Sequence, residues 1–208
     1  MYLYGASGHG KVVIEILEKS GIIIEGLFDD DPDISSLCGY RCSIFDKNQM
    51  LNSALIVSIG DNITRKLLVD KIGDLNFGIA IDISSSISKR SVIGNGSVIM
   101  PGVSINSGTI LGNHVIINTN AAVDHDCLLE DYVHISPGCS ISGSVLIGEG
   151  SHIGTGASVI QNIRIGKWCI IGAGCVIIRD VPDFSVVVGN PGRIIRRNHC
   201  YPNSNLDS

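Results

Sequence analysis

His125 is the side chain in this 208-residue chain that its neighbours best equip for chemistry. It lies in the run Val123-Asp124-His125-Asp126-Cys127, with a carboxylate on each side. An imidazole paired with a carboxylate is a general base, because the acid raises its basicity and fixes its tautomer. The other histidines are His9, His114, His134, His152 and His199, and no two of the six have a His-x4-His spacing. No metal site is therefore expected. A second candidate is the loop Gly5-Ala6-Ser7-Gly8-His9-Gly10, between an apolar strand and an amphipathic helix. Backbone N–H groups at such a helix N-terminus can receive a phosphate. Asp29 follows Gly8 at about the distance of a ribose-binding acid in dinucleotide folds. The glycine pattern is G-x-x-G-x-G rather than G-x-G-x-x-G, and the segment is short for a full dinucleotide domain. It reads as a mononucleotide or nucleotide-sugar site in preference to a NAD site. A loop whose glycines only make a tight turn stays open.

The elements that must position these groups follow from an internal repeat. From Ile87 to Ile177 every sixth residue is aliphatic, without a slip. The fourth residue after each is small or β-branched. A period of six is neither helical nor alternating. It fits a short strand plus a tight bend, and three such units close a triangular coil of 18 residues. Glycine and asparagine at the bends supply positive φ. The predicted parallel β-helix has about 5.3 coils and is roughly 25 Å tall at the inter-strand spacing of a sheet. Its register stacks Gly143 over His125, where a glycine leaves a backbone N–H unshielded above the imidazole as an oxyanion donor. It also stacks His152 on His134. Cys127, Cys139, Cys169 and Cys175 take the small inward position, which makes them core residues.

Residues 1–82 have a different texture. Strands are predicted at Tyr2–Tyr4, Ile22–Phe28 and Leu55–Ile59, with helices at Lys11–Lys19 and about Ile63–Ile72. This is a Rossmann-like βαβ pattern. The expected organisation is an α/β nucleotide-binding domain over 1–82, a hexapeptide-repeat β-helix over 83–197 and a flexible tail over 198–208.

Composition narrows the rest. The formal charge of −5 disfavours a nucleic-acid partner. Arg164, Lys167, Arg179, Arg193, Arg196 and Arg197 nevertheless make the C-terminal end basic, suited to an anionic ligand or to an ordinary solvated surface. No apolar run approaches the ~20 residues of a membrane span, and no export signal is visible at the N-terminus. Seven cysteines without a CxxC pair suit a reducing cytoplasm.

Several motifs together resemble the NeuD/PglD family of sugar O- and N-acetyltransferases, over about residues 2–197. They are the unbroken hexapeptide repeat, Tyr4-Gly5-Ala6-Ser7-Gly8-His9-Gly10, Asp29-Asp30, Asn118, Asp124-His125-Asp126-Cys127 and Val188-Gly189-Asn190-Pro191-Gly192-Arg193. The resemblance implies a left-handed coil and homotrimers with active sites between subunits. It implies acetyl-CoA as cosubstrate and a nucleotide-linked amino-sugar as acceptor, such as a UDP-4-amino-4,6-dideoxy sugar. His125 would be the base, Asp126 its orienting acid where this branch usually has glutamate, and the Gly143 N–H the oxyanion donor. His134 would contact the acetyl thioester, and Thr155 with the backbone near Gln161 and Ala173 would line the coenzyme A groove. Ser7, Gly8, His9, Asp29, Asp30, Gly60 and Asn118 would hold the nucleotide sugar. The expected mechanism is direct attack of the sugar amine without an acyl-enzyme. Three other readings stay open: a sialic-acid or other sugar O-acetyltransferase, a non-catalytic nucleotide-sugar-binding prism, and a zinc carbonic anhydrase on the same prism. The acid-flanked His125 argues against the second, and the histidine spacing against the third.

Overall fold

The computed structural model describes residues 1–50 and 53–198. The N-terminal sheet is built from β1 (Tyr2–Tyr4), β2 (Gly26–Phe28), β3 (Ser36–Leu37), β4 (Tyr40–Ser43) and β5 (Leu55–Val57). Its order is β3-β4-β2-β1-β5. β1 runs parallel to β2 and β5, and β2 parallel to β4. The helices are α1 (Gly8–Lys19) and α2 (Asn62–Ile72). α1 buries Val13, Ile14, Ile16 and Leu17. α2 is capped by Asp61, whose carboxylate accepts the Thr64 N–H at 2.8 Å.

The elements differ from the expected ones at several points, β5 among them, which ends at Val57 rather than Ile59. α1 starts at Gly8 rather than Lys11, so two loop glycines lie inside the helix. Gly10 is required there, because a Cβ would sit 2.5 Å from the Gly5 carbonyl oxygen. β2 is shorter than Ile22–Phe28, and Ile23 is exposed. The β3–β4 hairpin has no counterpart in the sequence reading. It turns on Cys38 and Gly39, both at positive φ, as a two-residue hairpin loop demands. Cys-Gly is not a usual signal for that turn.

The solenoid consists of three parallel sheets of five, six and eight strands, the last closed by an antiparallel hairpin. Up to Ile177 each strand pairs with the one 18 residues on, as in Ile105 with Val123 and Ile117 with Ile135. The inner aliphatic column from Ile99 to Ile177 is almost wholly buried, together with Cys127, Cys139, Cys169 and Cys175. β6 (Ala80–Ile81) already pairs with Val98–Ile99, so the prism begins one hexad before Ile87. The three outward columns differ. Ser86, Ser104, Ala122, Ser140 and Ser158 make a face of small residues. Val92, Ile110 and Leu128 make a second, exposed aliphatic face. The third carries Val98, Ile116, His134 and His152, and there Val98 and Ile116 share a buried cluster with α1. The N-terminal domain therefore docks on the third face. At the far end Ser185–Val188 pairs with Ile170–Ile171 and with Arg193–Arg197. Asn198, assigned by sequence to the tail, is buried and donates its side-chain N–H to the Trp168 carbonyl at 2.8 Å. The rest of the expected tail lies outside the described residues.

Candidate active site

His125 stands at the corner between the small face and the aliphatic face. Its Nδ1 lies 2.9 Å from Oδ2 of Asp126. A carboxylate only accepts, so Nδ1 carries the proton and Nε2 presents a lone pair. Asp126 reaches a side chain next to it in the chain because its backbone is left-handed, with φ of 58°. Aspartate tolerates that region better than most residues. Asp124 has a different task. Its Oδ1 accepts the backbone N–H of His125 at 2.8 Å and the Asn106 amide at 2.7 Å. Asp126 thus orients the ring and Asp124 the backbone beneath it. The hydrogen bond to Asp126, followed by the charge of Asp124, raises the His125 pKa above its ordinary value.

Gly143 lies over the imidazole as the register requires. A Cβ there would fall 2.6 Å from Cε1 and 2.7 Å from Nε2 of His125. Only glycine leaves room for the ring. No acceptor for the Gly143 N–H is found among the described residues. Gln161 follows one coil further along the same corner and is exposed. Thr155 and Ala173, also exposed, stack on the next corner, beyond the strand Ser158–Val159. The Thr155 carbonyl accepts from the Gly174 N–H at 2.8 Å.

The remaining candidates gather at the domain junction. His134 is 8% exposed. Its Nδ1 is 3.1 Å from the Gly60 carbonyl, so Nδ1 carries the proton, and Nε2 accepts from the Asn118 amide at 3.1 Å. Both ring nitrogens are engaged, and the ring stacks on His152 with centroids 4.8 Å apart. Burial, then the neighbouring His152 and Arg65 charges, hold His134 well below its usual pKa. His9 lies beside Gly60, and burial lowers it to about 4. Its Nε2 is buried without a partner among the described residues. Ser7 and Gly8 are exposed at the start of α1, where no side chain caps the helix. A Cβ on Gly8 would meet nothing within 4 Å. Asp29 braces this loop, accepting the Ala6 N–H at 2.7 Å and the Asp31 N–H at 3.0 Å. Asp30 takes the Tyr4 hydroxyl at 2.5 Å and faces Lys71 at 3.4 Å.

Apart from Thr155 and Ala173 on their own corner, and Asp29 and Asp30 behind the loop, the predicted residues form two groups. His125, Asp126, Gly143 and Gln161 share one corner. Ser7, Gly8, His9, Gly60, Asn118 and His134 belong to the domain junction on the third face, which is the side of the triangle opposite that corner. Among the described residues, none of the N-terminal domain hydrogen-bonds to His125, Asp126 or Gly143. Of the basic residues, Lys167 faces Glu130 at 3.7 Å and Glu149 at 4.0 Å. Arg164, Arg179, Arg193, Arg196 and Arg197 are exposed. No three His, Cys, Asp or Glu side chains converge as a metal would need among the described residues. Among the described residues no helix is long and apolar enough to cross a membrane.

Sequence reasoning missed Arg65, which is 1% exposed. Its Nε donates to the His114 carbonyl at 3.0 Å, Nη1 to Ile59 at 3.0 Å and Gly60 at 3.2 Å, and Nη2 to Asn62 Oδ1 and the Tyr132 carbonyl, both at 2.9 Å. Burial lowers its pKa to about 10, which leaves it cationic at neutral pH. The available signal was its place on the apolar stripe of α2, in line with Leu68 and Ile72.

A βαβ nucleotide-type domain docked on a hexapeptide prism, with an acid-paired histidine under a glycine, defines a hexapeptide-repeat acyltransferase. Residues 1–72 match the PglD N-terminal domain, and residues 144–179 match the six-repeat bacterial transferase hexapeptide. The chain is similar to a histidine-to-asparagine variant of perosamine N-acetyltransferase from Caulobacter crescentus, solved with CoA and GDP-perosamine. The two are 35% identical, 94% of this chain and 96% of that one are covered, and the TM-score is 0.88. It is also similar to the acetyltransferase domain of PglB from Neisseria gonorrhoeae FA1090 in complex with acetyl coenzyme A, with 36% identity, 93% and 98% coverage and a TM-score of 0.84. A 101-residue stretch is 31% identical to the uncharacterized protein L142 of Acanthamoeba polyphaga mimivirus, spanning 48% of this chain and 21% of that protein. The chain belongs to the NeuD/PglD family of sugar acetyltransferases, with the left-handed β-helix that this membership carries.

Proposed function

We propose that this enzyme transfers the acetyl group of acetyl-CoA to the amine of a nucleotide-linked amino-sugar in bacterial glycan biosynthesis. The observation that carries the reading is the pairing of Nδ1–H of His125 with Asp126, which leaves Nε2 as the base under the Gly143 N–H. The neutral sugar amine attacks the thioester carbonyl and forms the C–N bond. Nε2 takes the amine proton, and the Gly143 N–H meets the tetrahedral oxyanion. Collapse breaks the C–S bond, and the histidinium returns its proton to the leaving thiolate. Cys127 is not the nucleophile. Its thiol points inward, 3.2 Å from the Ser142 carbonyl, and burial raises its pKa. The similar proteins solved with CoA and GDP-perosamine, or with acetyl coenzyme A, support both substrates.

One chain does not bring its nucleotide loop to its own base. The reading therefore includes a homotrimer in which the corner of one subunit meets the domain junction of the next. The exposed aliphatic face beside that corner supports such a neighbour. There Ile110, Leu128, Glu130 and Lys167 line a cleft of about 400 Å³. Thr155, the backbone near Gln161 and Ala173, and the exposed C-terminal arginines hold coenzyme A. Ser7, Gly8, His9, Asp29, Asp30, Gly60 and Asn118 hold the nucleotide sugar, and His134 adjoins the thioester. The reading includes the cytoplasm, where acetyl-CoA and nucleotide sugars are available.

The test is thiol release from acetyl-CoA against a panel of UDP-, GDP- and dTDP-linked amino-sugars and free sialic acids. Release with an amino-sugar nucleotide is expected. Release with sialic acids alone would move the reading to O-acetylation, and release with none would overturn it.

A further inference from the structure

The guanidinium of Arg65 has five N–H groups, and all five are used. Their acceptors are the carbonyls of Ile59, Gly60, His114 and Tyr132 and the Asn62 side-chain oxygen. None is a carboxylate. Burying a cation among neutral oxygens is a poor route to stability, since an apolar side chain of similar volume usually does as well or better. The arrangement makes more sense as a geometric device.

The acceptors have an order. His114, Tyr132 and Gly150 follow one another at the 18-residue interval of a coil, so they occupy successive rungs of one corner of the prism. Arg65 bonds the carbonyls of the first two. Asn62, itself held by Arg65 through Oδ1, donates Nδ2 to the carbonyl of Gly150 at 3.0 Å and to that of Ser151 at 3.3 Å. Two α2 residues therefore span three consecutive rungs. A slip of the N-terminal domain by one rung, about 4.8 Å along the axis, would put Arg65 and Asn62 against the wrong carbonyls. The Gly60 carbonyl is held from both sides, by Nη1 of Arg65 and by Nδ1 of His134.

We infer that Arg65, with Asn62, is a positioning residue that sets the axial register of the N-terminal domain on the prism and so the height at which the Gly60 loop presents the acceptor sugar. The inference rests on the nucleotide-sugar reading of that loop. Lysine cannot replace the arginine, because three N–H groups on one nitrogen do not fill a planar five-donor site.

The test compares Arg65→Lys and Asn62→Ala with the wild-type full-length enzyme. Steady-state kinetics use the nucleotide amino-sugar turned over in the panel, and hydrogen exchange is followed over residues 58–66. For Arg65→Lys, kcat/KM for the sugar should fall at least tenfold and exchange in the loop should quicken at least tenfold. KM for acetyl-CoA should stay within twofold, and the protein should stay folded by circular dichroism. Asn62→Ala should show the same split with a smaller effect, and it decides the matter if Arg65→Lys does not fold. Sugar kinetics within twofold of wild type in a folded variant would overturn the inference. So would a loss in which both KM values are unchanged and kcat falls only with the fraction of folded protein. If wild type turns over no sugar in the panel, the functional reading fails by itself. Loop exchange then decides the positioning role, and unchanged exchange in both variants overturns it.

Discussion

Nδ1 of His125 lies 2.9 Å from Oδ2 of Asp126, its immediate neighbour in the chain. Adjacent residues in an extended strand point to opposite faces. The pairing exists because Asp126 sits at a solenoid bend with positive φ. An aspartate has one methylene fewer than a glutamate, and at this bend it still reaches.

This pairing predicts the acid limb of the pH profile. His125 must be neutral to accept a proton, and Asp126 raises its pKa. Activity should therefore fall on acidification, beginning above the ordinary histidine range near 6.5. In Asp126→Asn the limb of kcat/KM for the sugar should move to lower pH, and kcat at neutral pH should fall. A limb that stays in place would detach Asp126 from the base. His125→Ala should lose ~10²–10⁴ in kcat, measured by thiol release with both substrates saturating.

Gly143→Ala tests the stacked position. The new Cβ falls on Cε1 and Nε2 of His125, so the ring must swing away from the N–H above it. Removal of one oxyanion donor typically costs about 10²–10³ in kcat, and displacement of the base adds to it. The thermal transition should change little, because the His125 side chain is exposed and its displacement opens no core. Near-normal turnover in a folded variant would exclude Gly143 from the site.

Separation of His125 from the domain junction, with the proposed homotrimer, predicts complementation. His125→Ala and Asn118→Ala homotrimers should each be nearly inactive. Dissociated, mixed in equal amounts and reassembled, they should regain about a quarter of wild-type activity, since a site between neighbours is intact in one of four random pairings. No recovery in trimers shown by mass spectrometry to be mixed would place the whole site within one chain.

The junction histidines predict the stability profile. Burial lowers His9 and His114 to about 4, and His134 and His152 are lowered as well. Unfolded, each takes up a proton near 6.5. Between those values the unfolded state binds more protons, so stability is fully present above about 6.5 and is lost as pH falls toward about 4. The urea midpoint should drop across that window. His134→Gln should flatten the slope, and a flat wild-type profile would mean that these rings are protonated in the native state.

Much of the solenoid was legible in the residues because its geometry is periodic. An 18-residue interval in the chain becomes one rung in space, so Gly143 over His125, His152 on His134 and the inward cysteines follow from counting. The N-terminal domain was legible as a βαβ pattern, but α1 begins three residues earlier than its apolar residues suggest, and the Cys38-Gly39 turn carries no common signal. The sequence by itself determined the prism, its interior and the local chemistry of His125. Only the tertiary structure decided which prism face the N-terminal domain covers, and with it that the Gly5–Gly10 loop lies on the face opposite the His125 corner. That docking is held by Arg65, Asn62 and His134 on backbone carbonyls, which every residue possesses. A carbonyl acceptor leaves no mark in a sequence, so Arg65 reads there as one more helix cation until the chain is folded.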